Sequence, residues 1–375
     1  MPDTIHAYLE EYGDIPFSER QMTDVDSLVL CQLAYLKFDG LVPEIKEKKR
    51  SVTLQELAVH PEKEKLFADT RFEKDNRRLF EGMLRGRRFC NLKLNCHINI
   101  VEKERQTQFC AVTFILEDST IYVAFRGTDE TIIGWKEDFN MGFLSQVPGQ
   151  ALSVKYLNMV TERFSNEFYV GGHSKGGNFA IYSAMHCVPS VQKRIRRIYS
   201  MDGPGFHPRV LEKCDYDRIA DRVVKLLPHS SLVGMIFEWD TKYKVVEARK
   251  FGFAQHDPYN WKIRNGEFVI AEDIYERARH KTSTLNEWIM AQDEEHIRLF
   301  VDTLYEVIAA SEADDLITIT ADWKKSALGM IAALKEVDDE TVQVLKQIIH
   351  DLFELSRARR RERFVKRIVS LPPTV

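Results

Sequence analysis

The segment Val170-Gly171-Gly172-His173-Ser174-Lys175-Gly176-Gly177 constrains this chain more than any other. An apolar run, EFYVGG, leads into it and an apolar-periodic run, GGNFAIYSAMHCV, leads out of it. It therefore reads as a buried strand that turns sharply into a helix with Gly-x-Ser-x-Gly at the turn. Small residues two before and two after the serine relieve the backbone crowding that such a turn creates, and the turn exposes the hydroxyl. The backbone N–H of the next residue, Lys175, then sits at a helix N-terminus and faces negative charge developing on a carbonyl oxygen. Ser174 is accordingly the candidate nucleophile. The competing reading is a glycine-rich strand-to-helix turn that binds phosphate.

The neighbouring sequence alternates in kind. HINIVEKE, FCAVTFIL and TIYVAFRG read as strands, the last two joined as a hairpin across Glu117-Asp118. ALSVKYLNMVTERFSN reads as a helix, and RIRRIYSMD, RVVKLLP and KYKVVEAR read as further strands. Strand-helix alternation predicts an α/β fold with a mostly parallel sheet and helices on both faces. Ahead of this block, residues 23–37 have helical periodicity with Asp24 or Asp26 as the capping residue. The charged stretch Glu56 to Arg88 places Leu66, Phe67, Phe72, Leu79, Phe80 and Leu84 on one stripe.

From about Ile274 the pattern is helical, with stripes at Ile297, Phe300, Val301, Leu304 and Ile308 and at Leu345, Ile348, Ile349 and Leu352. Thr284 followed by Glu287 has the spacing of a capping box that opens a helix. The expected organisation is an α/β domain over residues 1–275, with a helical segment 1–95 packed on it, and a helical extension or cap over 276–375. A length of 375 residues accommodates either one large domain with an extension or two domains.

With 29% charged residues and a net charge of -4, the chain has no basic excess to hold nucleic acid. The first residues lack a basic region leading into an apolar one, and no apolar run reaches spanning length, so a cytoplasmic protein is expected. Cys31, Cys90, Cys96, Cys110, Cys187 and Cys214 are scattered without paired spacing, which predicts reduced thiols and no zinc site. The basic run Arg357 to Arg367 reads as a solvated helix end, or as a peripheral contact with anionic lipid headgroups.

A second segment, Val123-Ala124-Phe125-Arg126-Gly127-Thr128-Asp129, ends a predicted strand upstream of Ser174. Together with Gly134-Trp135-Lys136-Glu137-Asp138-Phe139 it resembles the class 3 lipases, in which a strand-end F-R-G-T precedes a W-x-x-D segment. The G-H-S-K-G-G-N at the turn is closer still to a bacterial family of lipase-like α/β-hydrolases. The resemblance covers roughly residues 23 to 265 and takes in Asp202-Gly203-Pro204-Gly205-Phe206, Ser230-Ser231-Leu232-Val233-Gly234-Met235 and Gln255-His256-Asp257-Pro258. It implies an α/β-hydrolase fold and a second oxyanion donor at Thr128 beside the Lys175 N–H. On the residues alone, F-R-G-T is also compatible with an ordinary strand-end turn holding Arg126 in an ion pair.

In this fold the order is serine, acid, histidine, so the base follows Ser174. His207, His229, His256, His280, His296 and His350 all do. His256 lies in the loop KFGFAQHDPYNW after the last predicted strand, where a mobile imidazole belongs, with His229 and His207 as alternatives. Class 3 lipases carry the acid just after the strand that here reads Arg222 to Pro228, but this chain continues His229-Ser230-Ser231. Asp202, ending the preceding strand, is the candidate acid, with Glu238 and Asp240 as later alternatives or solvated loop charges. A serine, an imidazole and an oxyanion hole point to hydrolysis of a small-molecule or lipid ester without metal or organic cofactor. The alternative is a catalytically silent scaffold that binds or regulates. The apolar segment Asp129 to Gln150 is the candidate wall of an acyl pocket or plain core packing, and the Lys175 side chain is expected to point to solvent.

Overall fold

The computed structural model describes residues 3–291, apart from 69, 71, 103, 105, 106, 129–140, 142–146, 213–215 and 239–241. The chain divides into two compact units, Met1–Tyr275 and Glu276–Val375.

The first unit is built on a nine-stranded sheet in the order β1-β2-β3-β4-β5-β6-β7-β8-β11. Its strands are β1 (Val52–Thr53), β2 (Lys93–Glu102), β3 (Thr107–Ile115), β4 (Ile121–Phe125), β5 (Phe168–His173), β6 (Ile195–Met201), β7 (Val223–Pro228), β8 (Tyr243–Val246) and β11 (Ile270–Ala271). A separate hairpin pairs β9 (Ile263–Arg264) with β10 (Glu267–Phe268). The five strands β4 to β8 are parallel to one another. The strands that extend this block on either side pair antiparallel, including the predicted hairpin of β3 with β4. The result is an α/β fold whose central strands all point their carboxyl ends the same way.

Helices cover both faces. In β4, Ile121, Val123 and Phe125 belong to one apolar cluster and Tyr122 and Ala124 to the other, because successive side chains of a strand face opposite ways. The first cluster takes in α5 (Pro148–Arg163) and α6 (Lys175–His186). The second takes in α1 (Ile5–Tyr12), α2 (Asp24–Leu33), α3 (Leu54–Ala58) and α4 (Glu73–Arg85). All five side chains of β4 are buried, which explains why this strand reads as an unbroken apolar run.

Three boundaries differ from the sequence expectation. The cap of α2 is Thr23, whose Oγ1 accepts from the Asp26 N–H while the Asp26 carboxylate accepts from the Thr23 N–H. Asp26 therefore closes a capping box from the third helical position instead of opening the helix. The stripe of Glu56 to Arg88 is broken: α3 ends at Ala58, Leu66 closes the 3-10 turn Lys63–Leu66, and only the part from Glu73 is continuous helix. In the second unit a helix runs Glu276–Ala291 without interruption, and the Thr284 hydroxyl donates to the His280 carbonyl one turn back. Thr284 thus lies inside a helix and does not open one. The predicted stripes beyond residue 291, and the basic run, lie outside the described residues. Among the described residues no helix is long and apolar enough to cross a membrane.

The face formed by α1, α2 and α4 is tied together by a buried ion pair. Arg88, just beyond α4, donates from Nε to Asp26 Oδ1 (2.8 Å) and from Nη2 to Asp26 Oδ2 (2.6 Å), and both side chains are 0% exposed. The remaining donors of Arg88 reach the carbonyls of Ile15, Arg20 and Gln21, and the Tyr8 hydroxyl donates to Asp26 as well. Breaking such a pair leaves a charge buried without its partner. Arg88→Met is expected to lower stability by about 3–5 kcal/mol, read from urea denaturation; an unchanged unfolding midpoint would contradict this role.

Candidate active site

Strand β5 hands over to α6 at Ser174, which adopts φ 58 and ψ -132. A non-glycine residue held at positive φ is strained, and the surroundings over-determine it. The Ser174 N–H donates to the Met201 carbonyl at 2.9 Å, and the Ser174 carbonyl accepts from the Gly177 N–H at 2.8 Å. The flanking glycines are obligatory for a steric reason. A Cβ at Gly172 would lie 2.2 Å from the Gly176 carbonyl carbon, and one at Gly176 would lie 2.1 Å from the Phe125 carbonyl oxygen.

The structure brings Ser174, His256 and Asp202 into one hydrogen-bonded chain. His256 Nε2 is 3.0 Å from Ser174 Oγ, and His256 Nδ1 is 2.6 Å from Asp202 Oδ2. An ionised carboxylate only accepts, so Nδ1 carries the imidazole proton and Nε2 is left to accept from the serine hydroxyl. All three residues are buried, at 7%, 5% and 1% exposure for Ser174, His256 and Asp202. Asp202 sits one residue past β6 with φ 50, and its N–H donates to the Leu226 carbonyl at 2.8 Å. Its second oxygen, Oδ1, accepts from the Ser231 hydroxyl and from the Gly234 N–H. The adjacent carboxylate, Asp257, turns elsewhere, to Lys250 Nζ at 2.9 Å and the Tyr259 N–H at 3.0 Å.

Two further links hold the His256 loop. His173 donates from Nε2 to the His256 backbone carbonyl (2.9 Å), which leaves its Nδ1 to accept from the Tyr35 hydroxyl (2.9 Å). The His173 and His256 rings lie 4.6 Å apart. Gln255 accepts from the Ser230 N–H on Oε1 (2.7 Å) and donates from Nε2 to the Lys250 carbonyl and to His229 Nε2, both at 2.7 Å. Burial lowers the pKa of His229, which keeps this imidazole in the neutral form that accepts. His173 is part of the Gly-x-Ser-x-Gly motif, and Ser231 and Gly234 are part of the quoted Ser230 to Met235 segment, but no local pattern marks Tyr35. It follows α2, and the fold alone carries it to position 173.

Lys175 departs from expectation. Its side chain is buried, and Nζ donates to the Gln108 backbone carbonyl (3.1 Å) and to Gln108 Oε1 (2.9 Å), with the Phe179 ring centroid 5.8 Å away. A side chain on the first residue of a helix leans back past the N-terminus, and here that direction leads to β3 instead of water. Gly127, at the end of β4, packs on the turn: a Cβ there would be 3.0 Å from Ser174 Cβ and 2.5 Å from the His173 carbonyl oxygen. Thr128, the next residue, is 4% exposed.

His207 packs near Phe237, with ring centroids 5.9 Å apart, and His280 is exposed on the Glu276–Ala291 helix. Glu238 is not a solvated charge: its carboxylate forms a buried ion pair with Lys225 Nζ. Asp240, His296, His350, Cys214 and most of the segment from Asp129 to Gln150 lie outside the described residues. Among the described residues no group of three or more His, Cys, Asp or Glu side chains is placed to hold a metal ion.

No curated protein sequence matches the chain. Among solved structures it is similar to a native lipase–propeptide complex from Rhizomucor miehei, at 15% identity over 48% of this chain and 63% of that one, with a TM-score of 0.30. The chain thus spans less than two thirds of the length of that lipase. The Mbeg1-like family model matches residues 83–306, a stretch that holds Thr128, Ser174, Asp202 and His256. Matched by this lipase-like family over more than half of its length, the chain belongs to the Mbeg1-like family.

Proposed function

We propose that the chain is a serine hydrolase that cleaves carboxylic esters of small molecules or lipids through an acyl-serine intermediate. The observation that carries this reading is the buried relay from Ser174 Oγ through His256 to Asp202, at 3.0 and 2.6 Å. In the first step Ser174 Oγ attacks the ester carbonyl while His256 Nε2 takes the hydroxyl proton. The imidazolium so formed is stabilised by the Asp202 carboxylate and returns the proton to the leaving alcohol. Water, deprotonated by the same nitrogen, then releases the acid and restores the serine. The Lys175 backbone N–H at the start of α6 and Thr128 at the end of β4 supply the oxyanion donors, a reading supported by the packing of Gly127 on the Ser174 turn.

A fluorophosphonate probe is expected to label the wild-type chain and not Ser174→Ala, with loss of p-nitrophenyl acetate turnover and little change in melting temperature. Equal labelling of the two chains would remove the nucleophile, and an unlabelled wild type would favour a silent scaffold.

Asp202→Asn is expected to lower turnover by on the order of ten-thousand-fold, as an amide holds the wrong imidazole tautomer. His256→Ala should be comparably damaging, and the double variant should be little worse than either single one. Retention of most activity in Asp202→Asn would take the acid away from this position.

Thr128→Val should cost on the order of 100- to 1000-fold in kcat, as the loss of one oxyanion donor typically does. A rate within a few-fold of wild type would contradict that role.

A further inference from the structure

The loop that follows β7 stands where the acid of the relay is expected from the resemblance to class 3 lipases, yet its first residue is His229. Two of its later residues, Ser231 and Gly234, contact the Asp202 carboxylate. We infer that Ser231 and Gly234 are the positioning residues of the Asp202 carboxylate, so that this loop orients an acid supplied by its neighbouring strand. The inference rests on the hydrolase reading above and deepens it.

The geometry leaves the carboxylate little freedom. Oδ2 is engaged by His256 at 2.6 Å, and Oδ1 accepts from the Ser231 hydroxyl and from the Gly234 N–H at 3.2 Å. Partners on separate oxygens fix both the direction and the plane of the group. The donors are themselves held. The Ser231 N–H donates to the Pro228 carbonyl at 2.8 Å, so the turn starts rigidly from the end of β7, and the Gly234 N–H also lies 3.1 Å from Ser231 Oγ. Ser231 is 2% exposed. Position 234 admits no side chain, because a Cβ there would lie 2.4 Å from Asp202 Oδ1 and 2.3 Å from Leu227 Cδ2. The same loop grips the base as well, through the Ser230 N–H and Gln255, the residue before His256. Asp202, at positive φ, is thereby held on its backbone by Leu226 and on its carboxylate by the next loop.

A consequence separates positioning from simple packing. Two neutral donors on Oδ1 draw negative charge away from the oxygen that faces His256. Without the Ser231 hydroxyl, that oxygen holds the imidazolium more strongly and aims less well. The groups that face His256 include Asp202 from the end of β6, Ser174 from the turn and the His173 ring from β5.

The test is the pH dependence of the fluorophosphonate labelling rate in the full chain, for wild type, Ser231→Ala and Ser231→Thr, with melting temperatures measured alongside. Ser231→Ala is expected to react about tenfold more slowly, the order expected for losing a hydrogen bond to a charged group, with its acid limb moved to higher pH. Ser231→Thr, which keeps the hydroxyl, should restore the wild-type limb. If Ser231→Ala fails to fold, Ser231→Cys, a weaker donor of similar size, takes its place with the same expectation in smaller measure. An alanine or cysteine chain with the wild-type rate and limb would overturn the positioning role while leaving Ser174 as nucleophile. Absence of Ser174-dependent labelling in the wild type would remove the hydrolase reading and this inference together.

Discussion

Everything at the candidate site depends on three backbones approaching one another more closely than side chains allow. The carboxyl end of β4, the carboxyl end of β5 and the first turn of α6 meet where Gly172 and Gly176 would place a Cβ at 2.2 and 2.1 Å from neighbouring main-chain atoms. This crowding forces Ser174 into positive φ, and positive φ lifts its hydroxyl out of the sheet. A strained serine needs a rigid frame, and the parallel block β4 to β8 provides it. The hydrogen bond from the Ser174 N–H to Met201 and that from the Asp202 N–H to Leu226 are continuations of the ladders β5–β6 and β6–β7.

The parallel block also explains why Asp202, the proposed acid, can sit on the strand next to that of Ser174, the proposed nucleophile. Strand ends that point the same way open on one crevice, so a carboxylate displaced by one strand still meets the same imidazole. The loop after β7 is thereby released from carrying a charge and fills instead with small donors, Ser230, Ser231 and Gly234. Tyr35 holds His173, which in turn holds the His256 backbone carbonyl and lies against its ring. The imidazole is held through the backbone carbonyl of its own residue, through the side chain of Gln255 before it, at its ring face, and at both nitrogens.

Much of this was legible in the sequence because the signals are local. The Gly172 to Gly176 turn declares its geometry by glycine spacing, the core strands by unbroken apolar runs, and β3–β4 by a short polar connection. Asp202 could be placed at a strand end and His256 in the loop after the last predicted strand, but their meeting depends on a geometry that only the folded sheet supplies. What escaped reading was long-range or contrary to habit. Tyr35 reaches the site across a sequence separation of 138 residues. Lys175, a residue type that is ordinarily hydrated, is buried because its direction from the helix start meets the oxygens of Gln108 before it meets water. Thr284 carried a local capping signal that the continuous helix Glu276–Ala291 overrode.

The spread of the Ser174 relay along the chain has a kinetic meaning. His256 lies 82 residues beyond the serine and 54 beyond the carboxylate that orients it, so every link in the relay is a non-local contact. Such contacts form late, after the entropy of closing long loops has been overcome. A chain emerging from the ribosome exposes the hydroxyl of residue 174 well before its imidazole has been made, and during that interval the serine is an ordinary alcohol. On the proposed function, reactivity therefore arrives as a property of the finished fold, since a chain that has not closed these contacts lacks the imidazole that would take the serine proton.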